Sequence, residues 1–268
     1  MDIKIMTDTG SDLTQDDKAK YDIIEIPMMV YFSDEEKGDF WEKIIQGKIA
    51  KTSQPSPELF KKEFLKAKEE NYILIYISIA SYLSSTYESA NNIKNQIGYE
   101  NIYIIDSLTA SLSERLLVLE ACKNKDKMNI NDLINYLNEF KKKIKLYACI
   151  DSLKHLYYGG RISRFTTSIG SFINIKPIIS LSSDGLKIVS KAIGNTRAVL
   201  KLIEIVKKEN LNKDYKILPI YSYLIDNCEI MVNKMKKNNL SLSSCLPIGS
   251  TIGAHIGPYG FGIVYVVS

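Results

Sequence analysis

The chain has 268 residues, 45% hydrophobic and 25% charged, the composition of an ordinary soluble globular protein long enough for a large core and two subdomains. Its net charge of +4 is spread over runs such as EFKKKIK (139–145) and KMKKNN (234–239), which read as solvated helix faces, so no nucleic-acid partner is expected. The apolar run YILIYISIA (72–80) is far too short for a bilayer, the start MDIKIMTD, with no basic stretch followed by an apolar one, leads us to expect no signal peptide, and Cys122, Cys149, Cys228 and Cys245 form no CxxC pair. The expectation is a cytoplasmic protein with reduced thiols, no metal and no stable membrane insertion.

The first predicted strand is DIKIMTD, where Ile3 and Ile5 alternate before the turn TGSD. Strand-like runs recur at IIEIPMMVYF (23–32), YILIYISI (72–79), NIYIID (101–106) and KLYACID (145–151). Helical patterns over 57–70, 85–97, 109–122 and 131–143 alternate with them, as βαβ units and a mostly parallel sheet require. A second block begins near residue 145. There IKPIISLSSDGLKIVSKAIG (175–194) reads as a hairpin turning at 183–185. Helices over 196–209 and 227–238, the run KILPIYSYL and a last strand FGIVYVV (261–267) complete it. The expected fold class is α/β with two subdomains. Residues 1–144 form an N-terminal parallel sheet with flanking helices, and 145–268 a C-terminal α+β mixed sheet.

Several short strings carry polar side chains in positions suited to binding. DTGS (8–11) occurs once, whereas aspartic-protease chemistry needs two carboxylates sharing a proton; Asp8, Ser11 and Asp12 read as turn and cap residues. TSQPSP (52–57) stiffens Thr52 and Ser53 ahead of a helix with Ser56 as N-cap and Pro57 at its first position. SIASYLSSTYESA (78–90) sets Ser81, Ser84, Ser85 and Thr86 between a strand end and a helix N-terminus, a place that suits anionic oxygens. No GxSxG elbow accompanies them, so binding is favoured over nucleophilic catalysis. YYGGRISR (157–164) follows a Gly-Gly bend with Arg161 and Arg164, either clamping an anion or pinning loop carbonyls. Of the two histidines, His155 reads as a helix-surface or domain-seam residue. His255 lies in GAHIGPYGFG (253–262), a turn whose glycines leave room for a ligand.

Taken in order, TDTGSDL, TSQPSP, SYLSSTYESA, YIIDSLTAS, LYYGGRIS leading into FINIKPII, and GAHIGPYGFG resemble the DegV family of fatty-acid-binding proteins over nearly the whole chain. The resemblance implies two α/β subdomains with a long-chain fatty acid buried between them, and no catalytic activity or cofactor of the chain's own. It implies a partner as well: an ATP-dependent fatty acid kinase subunit, to which the bound carboxylate is presented for acyl-phosphate formation and phospholipid synthesis. By motif, the head group meets Thr52, Ser53, Ser84 and His255, with Arg161, Ser85 and Gly257 as further head-group or partner contacts. Two alternatives stand beside this reading. One is a hydrolase or phosphotransferase acting on acyl esters or acyl-phosphates through Ser84 and His255; the other is a divergent binder of a non-lipid small molecule.

The chain departs from the family pattern at particular positions. Ser85 replaces a glycine, Ser113, Glu114 and Arg115 replace small residues, Tyr259 stands at a glycine position and Ile193 where an arginine is common. The segment before Thr52 is shorter than usual. Added bulk is expected to narrow a cavity, and the lost arginine to weaken kinase docking.

Overall fold

A computed structural model describes residues 1–33, 38–162 and 175–268. Arg164 and the first residues of FINIKPII lie outside the described residues. In chain order the strands of the first half are β1 (Ile3–Asp8), β2 (Ile24–Ile26), β3 (Met29–Phe32), β4 (Ala50–Ser53), β5 (Ile73–Ser78) and β6 (Ile102–Asp106). Those of the second half are β7 (Ile144–Cys149), β8 (Ile175–Ser182), β9 (Gly185–Ile193), β10 (Leu218–Tyr221), β11 (Leu246–Pro247) and β12 (Phe261–Val266). The helices are α1 (Gln15–Tyr21), α2 (Phe40–Ile45), α3 (Pro57–Glu69), α4 (Thr86–Ile97) and α5 (Leu112–Asn124), then α6 (Ile130–Lys143), α7 (Lys154–Tyr158), α8 (Gly194–Lys207), α9 (Asp226–Lys236) and α10 (Ser250–Ile256).

The chain divides into two compact units: Met1–Met29 with Ser53–Lys142, and Val30–Thr52 with Lys143–Ser268. Residues 30–52, which a single cut at 144/145 assigns to the first domain, cluster with the second unit. Pro27 explains the detour. It interrupts the run 23–32, so β2 pairs with β1 while β3 leaves to pair with β4.

Unit 1 is a parallel sheet in the order β2-β1-β5-β6. All six residues of β5 are buried, as a central strand covered on both faces requires. Met6, Leu74 and Tyr76 pack with Phe60, Phe64 and Ala67 of α3 and Ala90 and Ile93 of α4. The alternate residues Ile5, Ile75 and Ile77 are buried too, and α5 packs against β1 and β5. Ser56 and Pro57 occupy the cap and first position of α3, as their sequence predicts. A helix, α1, does follow the TGSD turn as the sequence suggests, but its cap is Thr14, in a capping box with Asp17.

Unit 2 is built on a mixed sheet in the order β11-β10-β12-β7-β8-β9, antiparallel except where β10 and β11 run together. The predicted hairpin is β8–β9, with Ser182 opposite Gly185. Ala198, Val199, Leu202 and Val206 of α8 and Cys228, Met231 and Met235 of α9 share a core with Ile178, Phe261 and Ile263 of the sheet. A smaller cluster joins Ile44, Phe40 and Trp41 of α2 to Ala50 of β4 and Ala254 of α10. The two sheets together give the α/β class expected from the sequence, one parallel and one mixed.

Candidate functional site

His255 sits in the last turn of α10, not in an irregular turn as its glycines suggested. Its Nε2 shares a 2.8 Å hydrogen bond with the hydroxyl of Thr52, near the end of β4. Both residues belong to unit 2, 203 positions apart in sequence. The other ring nitrogen, Nδ1, is buried without a hydrogen-bond partner among the described residues. Burial pushes the ring down to about 4, and the positive charge of Arg161 and the neighbouring His155 act the same way. The imidazole is therefore neutral at neutral pH, and either it or the hydroxyl can supply the shared proton.

His155 is buried in α7, not on a helix surface. The two histidines and two glycines interlock. A Cβ on Gly159 would stand 2.3 Å from His255 Nδ1, and one on Gly257 would stand 2.8 Å from His155 Cδ2. Gly257 also has φ +78°, a region that L side chains rarely adopt. The Gly-Gly bend and the glycine after α10 thus let each ring approach the other element's backbone closely. Arg161 donates to the carbonyl of Gly159, closing this bend, and burial lowers the guanidinium pKa from its ordinary value. Pinning that carbonyl is one of the two roles its sequence position allowed.

The remaining predicted head-group residues lie in unit 1. Ser84 is buried in the loop before α4, where its hydroxyl shares a 2.6 Å bond with Thr86 and accepts from the Thr86 N–H at 3.3 Å. Ser85 is exposed and donates to Gln54 Oε1 at 3.0 Å. Ser53 is exposed. Ser81 donates to Asp106 Oδ2 at 2.6 Å, tying the loop after β5 to the end of β6. The Ser84 hydroxyl is hydrogen-bonded to Thr86 and not to a base among the described residues.

Sequence reasoning missed a buried acidic centre at the carboxyl end of β1. Asp8 accepts from Gly10 N (2.9 Å), Ile79 N (3.1 Å) and the Tyr76 hydroxyl (2.8 Å), which confirms its turn role and extends it to β5. Burial raises its carboxyl to about 6 despite those bonds. Glu114, fully buried on α5, accepts from the Thr7 hydroxyl at 3.2 Å, and its second oxygen has no partner among the described residues. Burial and the nearby Asp8 hold its pKa well above the ordinary value. The signal was present in SERLL, a carboxylate inside an apolar helical run, but the sequence offered no sign of what it faced.

Two of the family departures find partners close by. Arg115 forms a bidentate pair with Asp17 (2.7 and 2.9 Å), and Ser113 bonds Thr109 at 2.6 Å. Ile193 and Tyr259 are exposed. Among the described residues no group of three or more His, Cys, Asp or Glu side chains could hold a metal ion, and no helix is long and apolar enough to cross a membrane.

Comparison with known proteins places these features in a family. The model of the DegV family matches residues 2–268. A fatty acid-binding protein of Thermotoga maritima is 28% identical over 284 residues, covering 98% of each chain. A crystal structure of a DegV lipid-binding protein from the same organism superimposes with a TM-score of 0.85 at 26% identity, over 99% of both chains. At 22% identity, a fatty-acid-binding DegV protein of Streptococcus agalactiae has the same fold, with a TM-score of 0.89 over 100% of this chain and 99% of that one. The chain belongs to the DegV family.

Proposed function

From this membership we propose that the chain binds a long-chain fatty acid and has no catalytic activity of its own. The observation that carries the proposal is the Thr52–His255 pair, a hydroxyl and a neutral imidazole 2.8 Å apart. Similarity to the Thermotoga fatty acid-binding protein over nearly the whole chain supports the choice of ligand.

The division of labour follows from magnitudes. Burying one methylene contributes about 0.8 kcal/mol, so a long acyl tail supplies most of the affinity. The head group then needs orientation more than strength. A carboxylate locked to a buried guanidinium would be a poor phosphate acceptor, whereas hydroxyls and a neutral ring orient it and leave its oxygens reactive. Thr52 and His255 are the proposed primary contacts, Ser53 and Ser84 further donors, and Arg161, Ser85 and Gly257 contacts to the head group or a partner. In this reading the chain is cytoplasmic and presents the acid to a separate ATP-dependent fatty acid kinase subunit, whose acyl-phosphate product feeds phospholipid synthesis.

Equilibrium titration with palmitate tests the binding step. Thr52→Val keeps the shape and removes the hydroxyl, so affinity should fall; unchanged affinity would remove Thr52 from the site. Adding such a kinase, ATP and hydroxylamine to the loaded protein tests presentation, since an acyl-phosphate is trapped as the hydroxamate. Palmitate that stays bound and unmodified under conditions where the kinase acts on its own carrier would separate binding from the kinase partnership.

A further inference from the structure

Cys228 and Cys245 are 17 residues apart in sequence, and their sulfurs are 3.4 Å apart in the fold, the Cys228 thiol donating to Cys245 Sγ. We propose that they form a peroxide-responsive dithiol whose oxidation ties α9 to the start of β11 through an intramolecular disulfide.

A disulfide needs a sulfur separation of about 2.05 Å, so the two atoms have little more than an ångström to close. Their surroundings differ in the way a sequential oxidation requires. Cys228 is fully buried in the core between α9 and the sheet. Cys245 is half-buried and lines a surface pocket of about 370 Å³ together with Glu229, Lys236 and Ser244. Peroxide reaches Cys245 first. Burial raises the pKa of the Cys228 thiol, keeping it protonated until a partner sulfur is presented to it. Cys122 and Cys149 are buried, and neither has a second thiol in hydrogen-bond reach among the described residues.

The chemistry closes without a cofactor. Cys245 sulfur attacks one peroxide oxygen and the O–O bond breaks; the thiol proton leaves with the departing oxygen as water or an alcohol. Cys245 is now a sulfenic acid. Cys228 sulfur attacks the sulfenic sulfur, the S–O bond breaks, and hydroxide leaves with the Cys228 proton as a second water. Two thiols lose two electrons in all, and the peroxide gains them.

The test treats the full-length protein with hydrogen peroxide, blocks free thiols with iodoacetamide, and reads intact mass and peptide map. The expected result is a loss of two hydrogens, a Cys228–Cys245 cross-linked peptide reversed by dithiothreitol, and a higher unfolding temperature for the oxidised form, because the cross-link restricts the unfolded chain. Cys245→Ser should abolish the cross-link. Dimedone, which traps sulfenic acids, should label Cys245 in the wild type and label it more heavily in Cys228→Ala. The wild-type labelling decides the order of attack even if that core variant folds poorly. Cys245 taking up two or three oxygens while Cys228 stays alkylatable on unfolding would overturn the proposal. Dimedone on Cys228, or thiols unchanged under peroxide that oxidises a free cysteine control, would overturn it equally.

Discussion

Each unit buries titratable groups, and the two solve the resulting problem differently. In unit 1 the Asp8 carboxylate takes two backbone N–H donors and a tyrosine hydroxyl from β5, so it is satisfied by its own scaffold and knits strand ends together, while its neighbour Glu114 keeps one oxygen without a partner among the described residues. In unit 2 His255 has one hydroxyl partner and a second nitrogen without any among the described residues, held by close packing on Gly159. A saturated carboxylate such as Asp8 is structural. A polar centre that spends its geometry on holding a ring in place, while leaving its hydrogen bonding incomplete, is suited to a ligand. This contrast separates Asp8 from His255 alongside burial, Asp8 being fully buried and His255 partly so.

The contrast has opposite consequences for pH, and these are the largest effects expected. The Asp8 carboxyl is raised from 3.8 to about 6, so its ionisation opposes folding by about 3 kcal/mol above pH 6. That cost is relieved as pH falls from 6 to 3.8. The His255 ring is lowered from 6.5 to about 4, so its contribution is intact above pH 6.5 and about 3 kcal/mol is lost as pH falls toward 4. The two oppose each other over the same window. Relative to wild type, His255→Gln should therefore gain stability on acidification from pH 7 to pH 4, and Asp8→Asn should lose it, as followed by thermal unfolding. Parallel curves for both variants would erase the distinction between the regions.

A smaller effect sharpens the account of unit 2. Gly159→Ala places a methyl 2.3 Å from His255 Nδ1 and should cost about 1–3 kcal/mol through forced displacement of the ring. Thermal unfolding measures the cost. Palmitate affinity should fall with it, which an effect confined to stability would not produce. Smaller again is Thr52→Val, for which the loss of one hydrogen bond corresponds to about tenfold in palmitate affinity, read by titration. At the small end, Arg115→Gln breaks the bidentate pair with Asp17 on unit 1. It should lower the unfolding temperature by a few degrees and leave palmitate affinity unchanged.

Long periodic elements were legible in the sequence for physical reasons. The buried run of β5 and the amphipathic helices α3, α4 and α8 carry their burial pattern in their own residues. Short helices were not: α2, α7 and α10 have six, five and seven residues, below the length at which local propensity can hold a helix without tertiary packing. The split of residues 23–32 between two sheets was signalled by Pro27, yet where β3 went depends on α2 and α10 packing beside it. Of the candidate site, the polar residues could be read, but their partners could not. Thr52 with His255, Cys228 with Cys245 and Asp8 with Tyr76 are meetings between distant segments that no local spacing encodes.

The central claim is that this chain carries a fatty acid, and native mass spectrometry of freshly purified protein, followed by solvent extraction and identification of what is released, tests it most directly. The account predicts a mass increment equal to one long-chain fatty acid per chain, removed by extraction and restored by palmitate. Protein that emerges empty and stays empty after soaking with common fatty acids would contradict it and point to a different ligand on the same fold.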